Sequence, residues 1–256
     1  MGFWISFWQS AGSVRARGLI VSRLYNSTSG LLLCYVTDRH SLVGFEARDA
    51  QKTHLLKIEA AAAAGVDWIQ IREKDLSGRQ CGLLTREALQ RAAKSPASHA
   101  APTRILVNDR LDVALSECAG GVHLGEKSLP LPEAKRLAEA RGQRNDFLIG
   151  VSCHSLESAR SASSGGADYL FFGPIFATPS KSAFGAPQGL AQLAKICRAI
   201  SIPVLAIGGV TLANASECLA AGASGIAAIR LFQDAADVSE LVAALRRAFS
   251  LSRPSE

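Results

Sequence analysis

The sequence predicts an α/β fold built as a single (β/α)8 TIM barrel. Three observations carry that prediction. From Leu31 onward, short apolar runs alternate with alanine-rich or amphipathic segments, and the alternation can be counted eight times. Each apolar run follows closely on a glycine or proline, the residues that punctuate such units. The length, 256 residues, is one that an α/β barrel fills as a single unit. A doubly wound open sheet is the rival architecture, but it would not usually need eight units.

The elements follow in order. LLLCYVTD (31–38) reads as a buried strand, and 51–65 as an alanine-rich helix closed by Gly65. Strands are expected over 67–74, 104–110, 121–125, 147–155, 168–173, 202–209 and 224–230. The helices that follow them are expected over 79–94, 111–119, 132–141, 156–164, 189–200, 211–221 and 236–249. The segments AGV, AGG, GGAD and AGAS lie just before strands, where helix C-terminal glycines belong. The barrel is thereby assigned to 31–250. Residues 1–30 read as a non-native or disordered extension: its apolar residues Phe3, Trp4, Ile5, Phe7 and Trp8 precede its arginines, the reverse of a signal peptide. A transit peptide is the less favoured reading of the same stretch. No run is long enough to span a bilayer, so no membrane partner is expected.

Composition narrows the function classes. Hydrophobic residues make up 48% and charged residues 20%, as in a soluble protein with a substantial core. Arg15, Arg17 and Arg23 carry three of the six net positive charges, which leaves the barrel only mildly basic. With no clustered basic face and no aromatic ladder, nucleic acid is not an expected partner. The six cysteines are widely spaced, with no C-x-x-C pair, which points to reduced thiols and a cytoplasmic protein. Association with further copies of the chain is left open.

A barrel places its chemistry just past the C-terminal ends of its strands. Those positions read Asp38 and Arg39; Gln70, Arg72 and Lys74; Asn108 and Asp109; His123 and Glu126; Ser152 and His154; Thr178, Ser180 and Lys181; Gly208 and Gly209; and Arg230. Polar groups thus converge on one mouth from nearly every strand. Thr178, Ser180 and Lys181 follow the buried run YLFF and a Gly-Pro break, a loop suited to a phosphate or diphosphate, or else an ordinary polar surface loop. Arg72 and Lys74 suit an extended anion, unless they form a salt-bridge ring with Glu73. Asp109 is a candidate Mg²⁺ carboxylate or the N-cap of the helix over 111–119. Gly208-Gly209 is a phosphate-binding helix start or simply a tight turn.

The motifs QIREK (70–74), VNDR (107–110), GVHLG (121–125), IGVSCHS (149–155), FFGPIFATPSK (171–181) and AIGGV (206–210) resemble the signature segments of the thiamine-phosphate synthase/TenI family. The resemblance covers about residues 31–249. It implies a (β/α)8 barrel that acts on phosphorylated small molecules. In the synthase branch a hydroxymethylpyrimidine diphosphate is joined to a thiazole phosphate with release of diphosphate. In the TenI branch the thiazole is aromatised by proton transfer. The resemblance places Gln70, Arg72, Lys74 and Asn108 on the pyrimidine diphosphate, with Ser152 and Lys181 also facing it. It places Asp109 on Mg²⁺, and Thr178, Ser180 and Gly209, beside Gly208, on the thiazole phosphate.

His154, in its S-x-H-S segment, is the acid/base that the TenI branch would use, so His154 and Lys181 are the candidate catalytic side chains. Two departures stand out. The synthase pattern continues GVHLG with Q-E-D, whose aspartate binds magnesium; here Glu126, Lys127 and Ser128 follow, and Glu126 is the available substitute ligand. Where a serine usually helps bind phosphate after strand eight, this chain has Arg230. A synthase is the first expectation. A thiazole tautomerase and a non-catalytic thiazole phosphate-binding barrel are the alternatives.

Overall fold

The computed structural model describes residues 30–42, 50–94, 102–142, 146–178 and 186–252. Eight parallel strands close on themselves in sequence order: β1 (Leu32–Val36), β2 (Trp68–Ile71), β3 (Arg104–Asn108), β4 (Gly121–Leu124), β5 (Leu148–Cys153), β6 (Tyr169–Phe172), β7 (Val204–Ile207) and β8 (Gly225–Ala228). The last pairs with the first through Leu32–Gly225 and Cys34–Ala227. Outside them run α1 (Ala50–Ala63), α2 (Gly78–Lys94), α3 (Leu111–Ser116), α4 (Leu131–Ala140), α5 (Leu156–Ser164), α6 (Gly189–Ala199) and α7 (Ala215–Ala220). A four-residue helix, α8 (Arg230–Gln233), and the closing helix α9 (Val238–Ser252) follow β8. The barrel expected from the sequence is the fold observed.

The strands are apolar on both faces because each face has its own core. Successive side chains point to opposite sides of a strand. One set packs inside the barrel: Leu32, Cys34 and Val36 of β1 meet Trp68, Leu106, Leu148, Tyr169, Phe171, Leu205 and Ala227. The alternate set, such as Leu33, Tyr35, Ile69 and Ile71, packs against the helices. The interior is therefore a filled core rather than a pore. Gly150 makes room for it, since a Cβ there would lie 2.0 Å from the Tyr169 ring.

Two details differ from the sequence expectations. Gly65, Gly166 and Gly222 do end helices at positive φ, with the next residue's N–H bonded back into the helix. The AGG segment does not: Cys118 takes the left-handed conformation at φ 53°, and Ala119 N–H closes on Ala114 O at 2.9 Å. Gly121 of that segment is small for another reason, because its Cβ would fall 2.3 Å from Leu148 O across the sheet. The strands are also shorter than their apolar patterns. β2 ends at Ile71 and β8 at Ala228, so Arg72, Lys74 and Arg230 stand on the connections that form the mouth.

Candidate active site

The floor of the mouth is a layer of polar side chains resting on the interior core. Gln70, Asn108, His123 and Ser152 form it, and strand register sets them beside the core residues Val36 and Phe171: Val36 pairs with Gln70, Asn108 with His123, and Ser152 with Phe171. Gln70 Nε2 donates to Asn108 Oδ1 at 2.8 Å, while Gln70 Oε1 is buried without a partner among the described residues. An unpaired buried acceptor is costly, so this amide is poised for a ligand N–H. The family resemblance implies Gln70 and Asn108 on the pyrimidine diphosphate, and the structure brings the two side chains into contact.

His123 completes the floor. Its Nδ1 lies 3.1 Å from the Tyr169 hydroxyl and its Nε2 2.9 Å from Ser152 Oγ. The imidazole also stacks on Phe171, with centroids 4.1 Å apart. Burial pushes His123 down to about 3, and the positive charge of Arg72 adds to the shift. A neutral ring has one donor and one acceptor nitrogen, so the two hydroxyls take complementary roles. Sequence reasoning names His123 at the mouth but gives it no role. The signal was present in GVHLG, where two-residue alternation turns His123 inward beside Ser152.

Above the floor stand the cations. Glu73 does not form a ring with Arg72 and Lys74, contrary to one reading of the sequence. Its carboxylate turns to the end of β1, where it accepts from Thr37 Oγ1 at 2.6 Å and pairs with Arg39 Nη1 at 3.1 Å. Neither the Arg72 nor the Lys74 side chain has an anionic partner among the described residues. Two cations are thereby left for an anionic ligand. Arg230 opens α8, is exposed and has no ion-pair partner among the described residues.

Asp109 is held at φ 63°, with its N–H donating to His123 O at 2.9 Å. It is not the helix N-cap: Arg110 precedes α3, and no side chain caps it. The Asp109 carboxylate instead accepts from the Ser128 hydroxyl, which also receives Gly125 N–H at 2.5 Å. Ser128 is the position at which the family resemblance implies a second aspartate. Glu126 has a different neighbour. Its Oε1 lies 3.9 Å from His154 Nε2, while His154 Nδ1 binds Gly173 O at 2.5 Å. Among the described residues, no group of three His, Cys, Asp or Glu side chains could hold a metal ion. Asp109 and the Ser128 hydroxyl are hard oxygen donors, which fits Mg²⁺ through one carboxylate completed by substrate phosphate and water.

The glycine-rich side of the mouth lies across β6 and β7. Gly208 and Gly209 have φ of 92° and 68°, and a Cβ on Gly208 would sit 2.6 Å from Pro174. Ile175 N–H and Phe176 N–H bond to Ile207 O and Gly208 O at 2.9 and 3.0 Å, which lays the loop bearing Thr178 over the glycine pair. Ser180 and Lys181 lie outside the described residues.

The family model described as thiamine monophosphate synthase matches residues 33–232, from the second residue of β1 to beyond the end of β8. The chain belongs to that family. A thiamine-phosphate synthase of Methanoculleus marisnigri is 42% identical over 195 residues, covering 76% of this chain and 87% of the relative. The thiamine-phosphate synthase of Chloroflexus aurantiacus is 41% identical over 202 residues, covering 79% and 88%. Among solved structures, a thiamine phosphate pyrophosphorylase from Pyrococcus furiosus superposes with a TM-score of 0.71 at 31% identity, covering 88% of this chain and 98% of that one. The matched range includes Gln70–Lys74, Val107–Arg110 and Gly121–Gly125, each of which runs out of its strand at the mouth.

Proposed function

We propose that this protein is a thiamine-phosphate synthase, a transferase that joins hydroxymethylpyrimidine diphosphate to thiazole phosphate and releases diphosphate. The observation that carries the reading is the pairing of an amide floor with unpaired cations. Gln70 and Asn108 offer amide groups to the pyrimidine ring, and Arg72 and Lys74 follow Gln70 in the chain without carboxylate partners among the described residues. The relatives named above bear the same activity in their names.

In this reading the bond between the pyrimidine methylene and the diphosphate oxygen breaks, and the thiazole nitrogen forms the new carbon–nitrogen bond. Arg72, Lys74 and Lys181 spread positive charge over the leaving diphosphate, and the electron-rich pyrimidine tolerates the cation left behind. Ser152, held by His123, donates to the same anion. Asp109 and Ser128 would hold Mg²⁺, which when bound supplies further positive charge to the diphosphate. Thr178, Ser180 and the Gly208-Gly209 turn hold the thiazole phosphate, with Arg230 in place of the usual serine at the rim.

A tautomerase reading draws on His154, whose Nδ1 is anchored by Gly173 O and whose Nε2 faces Glu126. Complementation separates the two. In a bacterial strain lacking its own thiamine-phosphate synthase, the chain is expected to restore growth without thiamine, and His154→Ala is expected to retain that ability. Growth restored only in a strain lacking thiazole aromatisation, and lost in His154→Ala, would overturn the synthase reading.

A further inference from the structure

Glu73 lies between the two cations of the mouth, yet its side chain belongs to another part of the barrel. The carboxylate is buried, with 1% of the side chain exposed. It accepts from the Thr37 hydroxyl at 2.6 Å, from Arg39 N–H at 3.1 and 3.2 Å, and from Arg39 Nη1 at 3.1 Å. His54 Nε2 of α1 stands 3.5 Å away. A charge buried this deeply persists only with such partners.

Thr37 turns that anchor toward the mouth. Its hydroxyl, while donating to Glu73, accepts from Arg72 N–H at 3.0 Å, and its own N–H donates to Gln70 O at 2.9 Å. β2 has ended at Ile71, so sheet pairing to β1 is carried onward by the Thr37 side chain in place of backbone. Side chains alternate along extended backbone. Gln70 is inside and Ile71 outside; with Glu73 held outside, Arg72 is directed inward, where its charge reaches His123. Arg39 continues the clamp to Asp75 Oδ1 at 2.7 Å, just beyond Lys74.

We infer that Glu73 is a positioning residue which, through Thr37 and Arg39, aims Arg72 and Lys74 at the diphosphate of the substrate. The inference rests on the synthase reading of the mouth. Its force is that the carboxylate between the two cations is tied down on the opposite side of the backbone, so it neither neutralises them nor lets the connection turn over.

The test uses purified wild type, Glu73→Gln and Thr37→Val, with inorganic pyrophosphate as the binding probe in calorimetry and steady-state KM for each substrate. Both variants are expected to weaken pyrophosphate binding and raise KM for the pyrimidine diphosphate by about tenfold, the kind of loss that follows when a binding group is misplaced. KM for thiazole phosphate is expected to stay within about twofold, since β8 separates Gly208 and Gly209 from the end of β1 and their turn bonds to the loop after β6 rather than to Thr37, Arg39 or Glu73. Thr37→Val keeps the Glu73–Arg39 pair and serves if Glu73→Gln does not fold. Unchanged pyrophosphate affinity in a folded variant overturns the inference, as does an equal rise in both KM values with a fall in melting temperature, which marks a merely structural role. A wild-type protein that neither binds pyrophosphate nor forms product removes the synthase reading itself, and the inference with it.

Discussion

Asp109 holds a left-handed backbone conformation and shares its carboxylate with a serine hydroxyl. An aspartate tolerates that conformation better than most residues, and Asp109 with Ser128 supplies one formal negative charge where the family resemblance implies two. Ser128→Asp restores the second carboxylate. It is expected to tighten binding of Mn²⁺, followed by electron paramagnetic resonance as a probe for Mg²⁺, by on the order of tenfold, because ligand charge count sets the affinity of such sites. Unaltered Mn²⁺ affinity would show that position 128 does not face the ion. At this scale, much of the mouth is legible in the sequence. Gln70, Asn108 and Ser152 lie on strands whose two-residue alternation aims them inward, so residue type and position suffice. The side of the backbone taken by Glu73 is not legible, because it depends on Thr37 and Arg39, more than thirty positions away. The partner of Glu126 is hidden for the same reason, since His154 reaches it from another strand end.

The strands and helices follow the apolar periodicity closely, and the disagreements are confined to their ends. The mouth connections are where apolar pattern and backbone pairing part company. The expected strand over 67–74 contains only Trp68–Ile71 as strand, because beyond Ile71 the bond to β1 is made by a threonine side chain. At β8 the expected strand ends early and α8 begins, a helix too short to leave a periodic signal. Inside the barrel, elements are matched by volume. The phenol of Tyr169 occupies the space that a side chain at Gly150 would need and reaches His123 across β5. Gly150→Ala forces a methyl group against that ring and is expected to destabilise the fold by about 1–3 kcal/mol, as overpacked cores do. Denaturant titration checks this; a loss of only a few tenths would mean that the Tyr169 ring moves aside freely.

The closed barrel brings together residues far apart in the chain. At the end opposite the mouth, Arg246 of α9 binds Leu31 O at 3.2 Å, Gly65 O at 2.7 Å and the buried Asp67 carboxylate at 3.2 Å, while Asp67 also accepts Leu33 N–H at 2.8 Å. At the mouth, Gln233 of α8 donates to Asp38 O at 2.7 Å, so the last connection docks on the first. Both ends of the ring are thus latched, and the polar layer between Gln70 and Ser152 is held on a rigid frame, as preorganised binding requires. Among the described residues, no helix is long and apolar enough to cross a membrane. On this frame two phosphorylated substrates are joined at one mouth. Thiamine phosphate and diphosphate quantified together, from purified protein given hydroxymethylpyrimidine diphosphate, thiazole phosphate and Mg²⁺, decide the matter. The two products are expected in equal amounts, both lost on adding EDTA and in Asp109→Ala. Diphosphate released without thiamine phosphate, or no turnover by a folded wild-type protein, would contradict it.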